Sequence, residues 1–232
     1  MEKTSEHLSI KHWTASERPR ERLLKNGVSS LSDAELLAIL LRTGIRGQDA
    51  VSLSRELIEK FGGLRGLLSA DIQTLVHLNG VGPAKASALA AAIEITKRQL
   101  RENLTGRNAL REPRGVLQYL SADLRDKKKE VFKVLFLNKA NHIIGERDLF
   151  EGTIDETAVY PREIVKAALD FHATGVILVH NHPSGRNAPS PEDKAITEKI
   201  RSACELVSIK VLDHLIIAGS NYFSFKESGW LQ

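Results

Sequence analysis

The sequence lacks several features that would place the protein in a specialised class. Its 232 residues include a single cysteine, Cys204, so the chain can form no internal disulfide bond. No apolar run approaches the roughly 20 residues of a membrane-spanning helix. The first residues contain no apolar segment of the kind found in secretory signals. We therefore expect a protein without membrane association, in a reducing, cytoplasmic location.

The excess of positive over negative charge is also small. The formal net charge is +4, and the whole excess lies in residues 1–107. A basic segment is compatible with a polyanion partner such as DNA, but an excess of four charges is a weak signal. The apolar content of 42% is typical of a globular protein. The length suits one large domain or two small ones.

An unbroken apolar run at residues 175–179, Gly-Val-Ile-Leu-Val, predicts a strand that is buried on both faces. His180 and His182 follow it directly. Side chains two residues apart on a strand point the same way, so both imidazoles leave the strand end toward one point. Pro183 and Gly185 then end the strand and begin a loop.

The loop closes at Ser190-Pro191-Glu192-Asp193, where a helical pattern begins. Asp193 lies in the first turn of that helix. The strand, the loop and the helix start therefore bring His180, His182 and Asp193 together. Two imidazoles and a carboxylate are a common ligand set for catalytic zinc, which keeps its fourth position for water.

Each half of this pattern also has a simpler interpretation. A lone His-x-His pair is more often structural or exposed than metal-binding. Ser190 and Asp193 have the spacing of a capping box, with Pro191 at the first helical position. Taken alone, the second piece favours a helix cap over a metal ligand.

The complete pattern resembles a known family. His-x-His, seven residues, Ser, two residues and Asp is the signature of JAMM metalloproteases, which carry the MPN domain. The surrounding His-Asn-His-Pro-Ser-Gly and Pro-Ser-Pro-Glu-Asp resemble the bacterial RadC proteins. This resemblance implies a cytidine-deaminase-like MPN fold and one Zn²⁺ per chain, held by His180, His182 and Asp193. It also implies hydrolysis of a peptide or isopeptide bond in a protein or peptide substrate.

The resemblance further implies roles for two catalytic residues. Glu130, at the start of an early strand, matches the family's glutamate, which acts as the general base. Ser190 matches the serine that donates a hydrogen bond to the developing oxyanion. Without the resemblance, Glu130 would be interpreted as a surface charge. Glu146 and Glu151 are rival carboxylates for the base.

Two other polar residues are relevant to the site. Asn181 stands between the histidines, where serine or threonine is usual in JAMM proteins, and this departure bears on substrate choice rather than on metal binding. His214, on a late strand, could orient a ligand from outside the first shell. A histidine packed in the core is the more common case, and we interpret His214 in that way.

The first part of the chain has a different pattern, typical of small helices. Ser32 and Glu35 form a predicted capping box. Leu78-Asn79-Gly80-Val81-Gly82-Pro83 precedes a long alanine-rich helix and resembles a helix-hairpin-helix motif, which in many proteins binds the DNA backbone. Unpaired N–H groups at a helix start bind anions. Gly80, Gly82 and Lys85 are thus candidates for weak, non-specific DNA contact, and an ordinary hairpin that needs glycine to turn is the alternative.

A polar, turn-prone segment at residues 103–108 marks the predicted boundary between two domains. Residues 1–107 are predicted to form a small all-α domain. In residues 108–232 strands alternate with helices, which predicts an α/β domain with a mixed sheet. Cys204 lies in phase with apolar residues on a helical face and is predicted to be buried, without a role as nucleophile.

Three classes of function fit these observations. A JAMM-type zinc metallohydrolase accounts for the ligands and for Glu130 together. A DNA-associated protein, related to repair, with a metal site that is structural or acts on nucleic acid is the alternative. A pure interaction module is the third, since a fold alone does not imply catalysis. The sequence determines neither the substrate nor the oligomeric state.

Overall fold

The computed structural model describes residue 10, residues 13–152 and residues 159–231. The chain divides into two compact units, Met1–Thr96 and Lys97–Gln232. Among the described residues, no helix is both long enough and apolar enough to cross a membrane. The predicted boundary at residues 107 and 108 stays a prediction.

The first unit is helical. Its core is a leucine-rich cluster that includes Leu37, Leu41, Leu53 and Leu57. The helices are α1 (Pro19–Asn26), α2 (Asp33–Leu41), α3 (Ala50–Lys60), α4 (Leu64–Leu68), α5 (Ile72–Val76) and α6 (Gly82–Glu102), and a short 3-10 helix covers Val28–Ser30. From Lys97 onward, α6 belongs to the second unit.

Side-chain caps explain where the helices of the first unit begin. Ser32 and Glu35 form the predicted capping box at α2, in which each side chain binds the other residue's backbone N–H. Asp49 accepts hydrogen bonds from the N–H groups of Val51 and Ser52 at the start of α3. The predicted capping box at the start of α2 is confirmed.

The described residues of the second unit form a five-stranded mixed sheet with helices on both faces. The strands are β1 (Glu130–Leu137), β2 (Ile143–Gly152), β3 (Gly175–Asn181), β4 (Lys210–Ala218) and β5 (Asn221–Ser224), and the helices are α7 (Pro113–Leu124), α8 (Pro161–Asp170) and α9 (Pro191–Glu205). The spatial order is β2-β1-β3-β4-β5, with only β3 and β4 parallel. The predicted fold class is confirmed.

The two faces of the sheet bury different clusters. Phe132, Val134 and Phe136 of β1 share one cluster with residues of α8 and α9, whereas Val131 and Leu135 pack with residues of α7. This is the period-two alternation of a strand that is buried on both sides. Helix α9 is the crossover that parallel pairing of β3 and β4 requires.

Cys204 of α9 is fully buried within the first of these clusters. Burial raises the pKa of its thiol to about 11. A protonated, inaccessible thiol is a poor nucleophile. The prediction that Cys204 is a core residue is confirmed.

The second strand is longer than the sequence indicates. The turn-prone residues 138–141 after β1 predict a second strand over residues 142–147, and β2 continues to Gly152. Its second half carries charged residues, and Asp148 lies 2.7 Å from the buried ammonium of Lys133 on β1. This cross-strand ion pair stabilises the extension, and so does the packing of Leu149 and Phe150 against the core.

Candidate metal centre

Three potential ligand atoms meet where β3 ends and α9 begins. His180 Nε2 lies 2.9 Å from His182 Nε2 and 3.1 Å from Asp193 Oδ1, and His182 Nε2 lies 3.4 Å from Asp193 Oδ2. His180 and Asp193 are buried, and the side chain of His182 is 11% exposed. The structure thus brings together the three residues that the sequence predicts. Among the described residues, they are the one group of this kind that could hold a metal ion.

The helix cap orients the carboxylate of Asp193. The backbone N–H of Ser190 donates to Asp193 Oδ2 at 2.7 Å, and the backbone N–H of Asp193 donates to Ser190 Oγ at 3.0 Å. The capping box and the ligand arrangement, which the sequence presents as alternatives, therefore coexist. The Ser190 N–H thus fixes Oδ2 of the carboxylate, and Oδ1 faces His180.

The tautomer of His182 follows from its hydrogen bond. His182 Nδ1 lies 2.6 Å from the backbone oxygen of Arg186. A carbonyl oxygen can only accept, so Nδ1 carries the hydrogen. In the neutral ring, Nε2 is then bare and directs its lone pair at Asp193 and His180.

A chain of hydrogen bonds fixes the tautomer of His180. The hydroxyl of Thr197 donates to the backbone oxygen of Asp193 at 2.5 Å, so its oxygen accepts from His214 Nδ1 at 2.6 Å. His214 Nε2 is then an acceptor, and it lies 2.9 Å from His180 Nδ1, which must donate. The Nε2 atom of His180 is left with its lone pair, as a metal ligand requires.

This assignment requires His214 to be neutral, and its surroundings favour the neutral form. Burial lowers the pKa of His214 well below its usual range, and the neighbouring charge of His180 lowers it further. The ring of His214 stacks on Phe225 with 4.9 Å between centroids, and Phe132 stacks on His180 at 6.1 Å. Aromatic packing therefore restricts the rotation of both imidazole rings. The sequence offered no sign of the contact between Thr197 and His214, which are 17 residues apart.

The charges of the three residues are coupled. Burial alone would raise the pKa of Asp193, but hydrogen bonds that His180 and His182 donate when they are protonated outweigh it and hold that pKa well below its usual range. The hydrogen bond with Asp193 raises the pKa of His182, with a smaller contribution from the charge of Glu130. Asp193 is thus an anion at neutral pH and attracts a cation to the site, either a proton or a metal ion.

The residues present fit a metal ion. Two bare Nε2 atoms and a carboxylate converge, and Asp193 Oδ1 is buried and accepts no well-aligned hydrogen bond in the described part of the chain. Three acceptors without a donor between them need a positive charge at their meeting point. A tetrahedral zinc site with bonds of about 2.0–2.1 Å separates its ligands by about 3.3 Å. The separations of 2.9–3.4 Å match it.

The three candidate bases have different surroundings. Glu130 begins β1, close enough to His182 to raise its pKa, and its Oε2 atom is buried without a hydrogen-bond partner among the described residues. Glu146 lies opposite Leu135 in the register, on the other face of the sheet, and accepts from the hydroxyl of Tyr119 at 2.6 Å. Glu151 is largely exposed, 3.8 Å from Lys129. Of the three, the geometry favours Glu130 as the base.

Ser190 is placed as the sequence predicts, beside the ligands. Its oxygen accepts the capping hydrogen bond from Asp193 N–H. That bond uses a lone pair and leaves the hydroxyl hydrogen available to a substrate atom. The cap and the proposed donation to an oxyanion are therefore compatible.

The helix-hairpin-helix residues lie in the first unit. Gly80 and Gly82 have φ of +80° and +60°, which explains the glycines of this turn. A Cβ on Gly80 would also lie 2.7 Å from a methyl carbon of Ile45. The Lys85 ammonium donates to the backbone oxygens of Thr43 and Gly80 at 2.6 and 2.7 Å. Lys85 therefore has a structural role in the hairpin, and DNA contact through these residues stays a prediction.

Two family models match the chain, one within each of its two compact units. Residues 110–230 match the family model described as "RadC-like JAB domain", and residues 10–87 match the model described as "UPF0758 N-terminal". The chain is 49% identical to a UPF0758 protein of Thiobacillus denitrificans and to one of Saccharophagus degradans, and 50% identical to one of Aeromonas salmonicida. Each alignment covers 97% of this chain and 100% of the relative.

Proposed function

We propose that this chain, which belongs to the family of proteins with a RadC-like JAB domain, is a zinc-dependent metallohydrolase of the JAMM type. The proposed reaction is hydrolysis of a peptide or isopeptide bond. The observation that carries this proposal is the convergence of His180, His182 and Asp193 with unprotonated ligand atoms, near Glu130, whose Oε2 atom is buried.

The chain's own residues have distinct tasks in this proposal. His180 Nε2, His182 Nε2 and an oxygen of Asp193 would hold one zinc ion. When bound, zinc supplies a Lewis acid that polarises a carbonyl oxygen and makes water easier to deprotonate. The chain of hydrogen bonds from His180 through His214 to Thr197, which we call the relay, keeps the Nδ1 proton on His180. Nε2 of His180 is then free for the ion.

Glu130 and Ser190 act on the substrate. The Glu130 carboxylate takes a proton from the attacking water as a bond forms between the water oxygen and the scissile carbonyl carbon. It then delivers that proton to the leaving nitrogen as the carbon–nitrogen bond breaks. The hydroxyl of Ser190 donates a hydrogen bond to the carbonyl oxygen, which becomes negatively charged in the tetrahedral state.

Substitution of Glu130 by glutamine tests this function. A screen of peptide and isopeptide substrates with the full zinc-loaded chain first identifies an activity. Glu130→Gln keeps the shape of the side chain and removes the proton acceptor. It should leave zinc content and thermal stability near wild type and lower the rate by about 10²–10⁴-fold, the usual contribution of positioned acid–base catalysis.

The matched control is Glu151→Gln, which makes the same change on an exposed side chain of β2. This variant should keep full activity. If Glu130→Gln were fully active, the assignment of the base would be wrong. If it lost zinc instead, Glu130 would be a ligand and the three-ligand site would be wrong.

A further inference from the structure

We propose that Asn181 is a positioning residue, which fixes the backbone around Glu130 and so sets the base beside the metal centre. This inference rests on the function proposed above. It assigns a task to the residue between the two histidines. Asn181 follows the strand alternation, so its side chain leaves β3 on the side opposite His180 and His182.

The side chain of Asn181 makes three hydrogen bonds to one short backbone segment. Asn181 Oδ1 accepts from the backbone N–H of Val131 at 2.8 Å. Asn181 Nδ2 donates to the backbone oxygens of Lys129 at 3.1 Å and Lys127 at 3.3 Å. These partners lie on both sides of Glu130 in the sequence.

These bonds complete the sheet where its main-chain pairing stops. Pairing of β1 with β3 runs from Leu137↔Gly175 to Phe132↔His180. The next residue of β1, Val131, finds its acceptor in the side chain of Asn181 instead of a main-chain oxygen. Without this bond, the Val131 N–H would be a buried donor at the end of the strand.

An amide is well matched to this task. It offers one carbonyl acceptor and two N–H donors, and the three backbone groups need one acceptor and two donors. Asn181 is 1% exposed, so water cannot readily replace any of them. A serine hydroxyl is shorter and has a single hydrogen to donate, so it cannot serve both Lys127 and Lys129.

Glu130 depends on this segment for its position. Its Oε2 atom is buried and accepts no hydrogen bond in the described part of the chain. Since no described residue holds that oxygen by a hydrogen bond, we infer that the path of the Glu130 backbone sets the position of its carboxylate. A shift of about 1 Å in a reacting group can cost about 10²-fold in rate.

The first test measures the backbone itself. Amide hydrogen exchange is followed by NMR in the full chain for wild type, Asn181→Ala and the control Asn138→Ala. Asn138 also accepts hydrogen bonds from backbone N–H groups, those of Ala140 and His142, at the other end of β1. Exchange at Val131 should rise by about tenfold in Asn181→Ala. It should not change in Asn138→Ala.

The second test separates positioning from metal binding. Zinc affinity of Asn181→Ala, measured by competition with a chromophoric chelator, should equal that of wild type. With the substrate found in the screen, its kcat should fall by about 10–100-fold. In a Glu130→Gln background the same change should cost nothing further, because Asn181 acts through Glu130.

The variant Asn181→Asp keeps the proposal testable if Asn181→Ala fails to fold. Aspartate keeps an acceptor for Val131 N–H and loses both donors, so Val131 should stay protected while kcat falls. Unchanged exchange at Val131 in Asn181→Ala, weaker zinc binding, or an equal loss of kcat in the Glu130→Gln background would each overturn the proposal. Failure of both Asn181 variants to fold would overturn it too, in favour of a role in folding alone.

Failure of the proposed function has a different signature. In that case the wild-type chain cleaves no substrate in the screen. Exchange at Val131 and zinc affinity still decide whether Asn181 holds the segment around Glu130 independently of the metal ligands.

Discussion

Replacement of His214 by phenylalanine should weaken zinc binding without removing a ligand. Phenylalanine keeps a flat ring that can stack on Phe225 and pack against Phe132. It provides no acceptor for the His180 Nδ1–H and no donor to Thr197. The N–H of His180 is then buried without a partner, and the proton is no longer excluded from Nε2.

The size of the effect follows from this lost hydrogen bond. An unsatisfied buried donor costs about 1–3 kcal/mol, which corresponds to about 5–150-fold in an equilibrium constant. Residues that orient metal ligands typically contribute about 10–100-fold to metal affinity. We therefore expect zinc to bind some tens of times more weakly to His214→Phe.

The next member of the relay should have a smaller effect. Thr197→Val removes the hydroxyl but leaves His214 in place, so His180 can still donate to it in one of two tautomers. A loss of about tenfold at most is expected. Ser54→Ala is the matched control, because the Ser54 hydroxyl is also buried and also donates to a carbonyl four residues earlier, in α3.

The assay is competition for zinc between the full chain and a chromophoric chelator at one fixed pH, with thermal melting as a check on folding. The expected order of affinity is wild type and Ser54→Ala, then Thr197→Val, then His214→Phe. A folded His214→Phe with wild-type affinity would refute the relay, because His180 would then keep its ligand tautomer without a partner.

Two further predictions concern protons and DNA. Because the hydrogen bond with Asp193 raises the pKa of His182, zinc must displace a proton from the metal-free site, so zinc affinity should fall as pH falls through that raised pKa. Calorimetry in two buffers of different ionisation enthalpy measures the proton release, and an affinity that is constant between about pH 6 and 8 would contradict it. The full chain should also bind duplex DNA weakly and without sequence preference, with an affinity that decreases shallowly with salt because few phosphates are neutralised. Fluorescence anisotropy over a range of salt concentrations measures this, and binding that is insensitive to salt would exclude backbone contact.

The sequence predicts the convergence of the ligands because local rules determine it. An apolar run ends at His180, strand alternation aligns His182 with it, and a capping pattern places Asp193 in the first turn of the next helix. All three signals lie within 19 residues of chain. The structure adds that the Asp193 carboxylate accepts the cap hydrogen bond and faces the histidines at the same time, whereas the sequence presents the two roles as alternatives.

Other parts of the site depend on contacts between distant residues. The sequence favours a core histidine for His214, and it is fully buried, yet its two nitrogens bridge His180 and Thr197. At Asn181 the sequence shows only a departure from the JAMM pattern that bears on substrate choice, whereas in the structure its amide binds backbone groups about 50 residues earlier. No periodicity or motif in the sequence indicates either contact, because each forms only when separate strands and helices pack together.

Elemental analysis of purified chain tests the metal centre most directly. Wild-type protein, prepared without chelator, should contain about one zinc per chain. A His180→Ala, His182→Ala double variant should contain almost none. The control His142→Ala, His172→Ala, which also removes two histidines but none of the three proposed ligands, should match wild type. Undiminished zinc in the first double variant would contradict the assignment of the site.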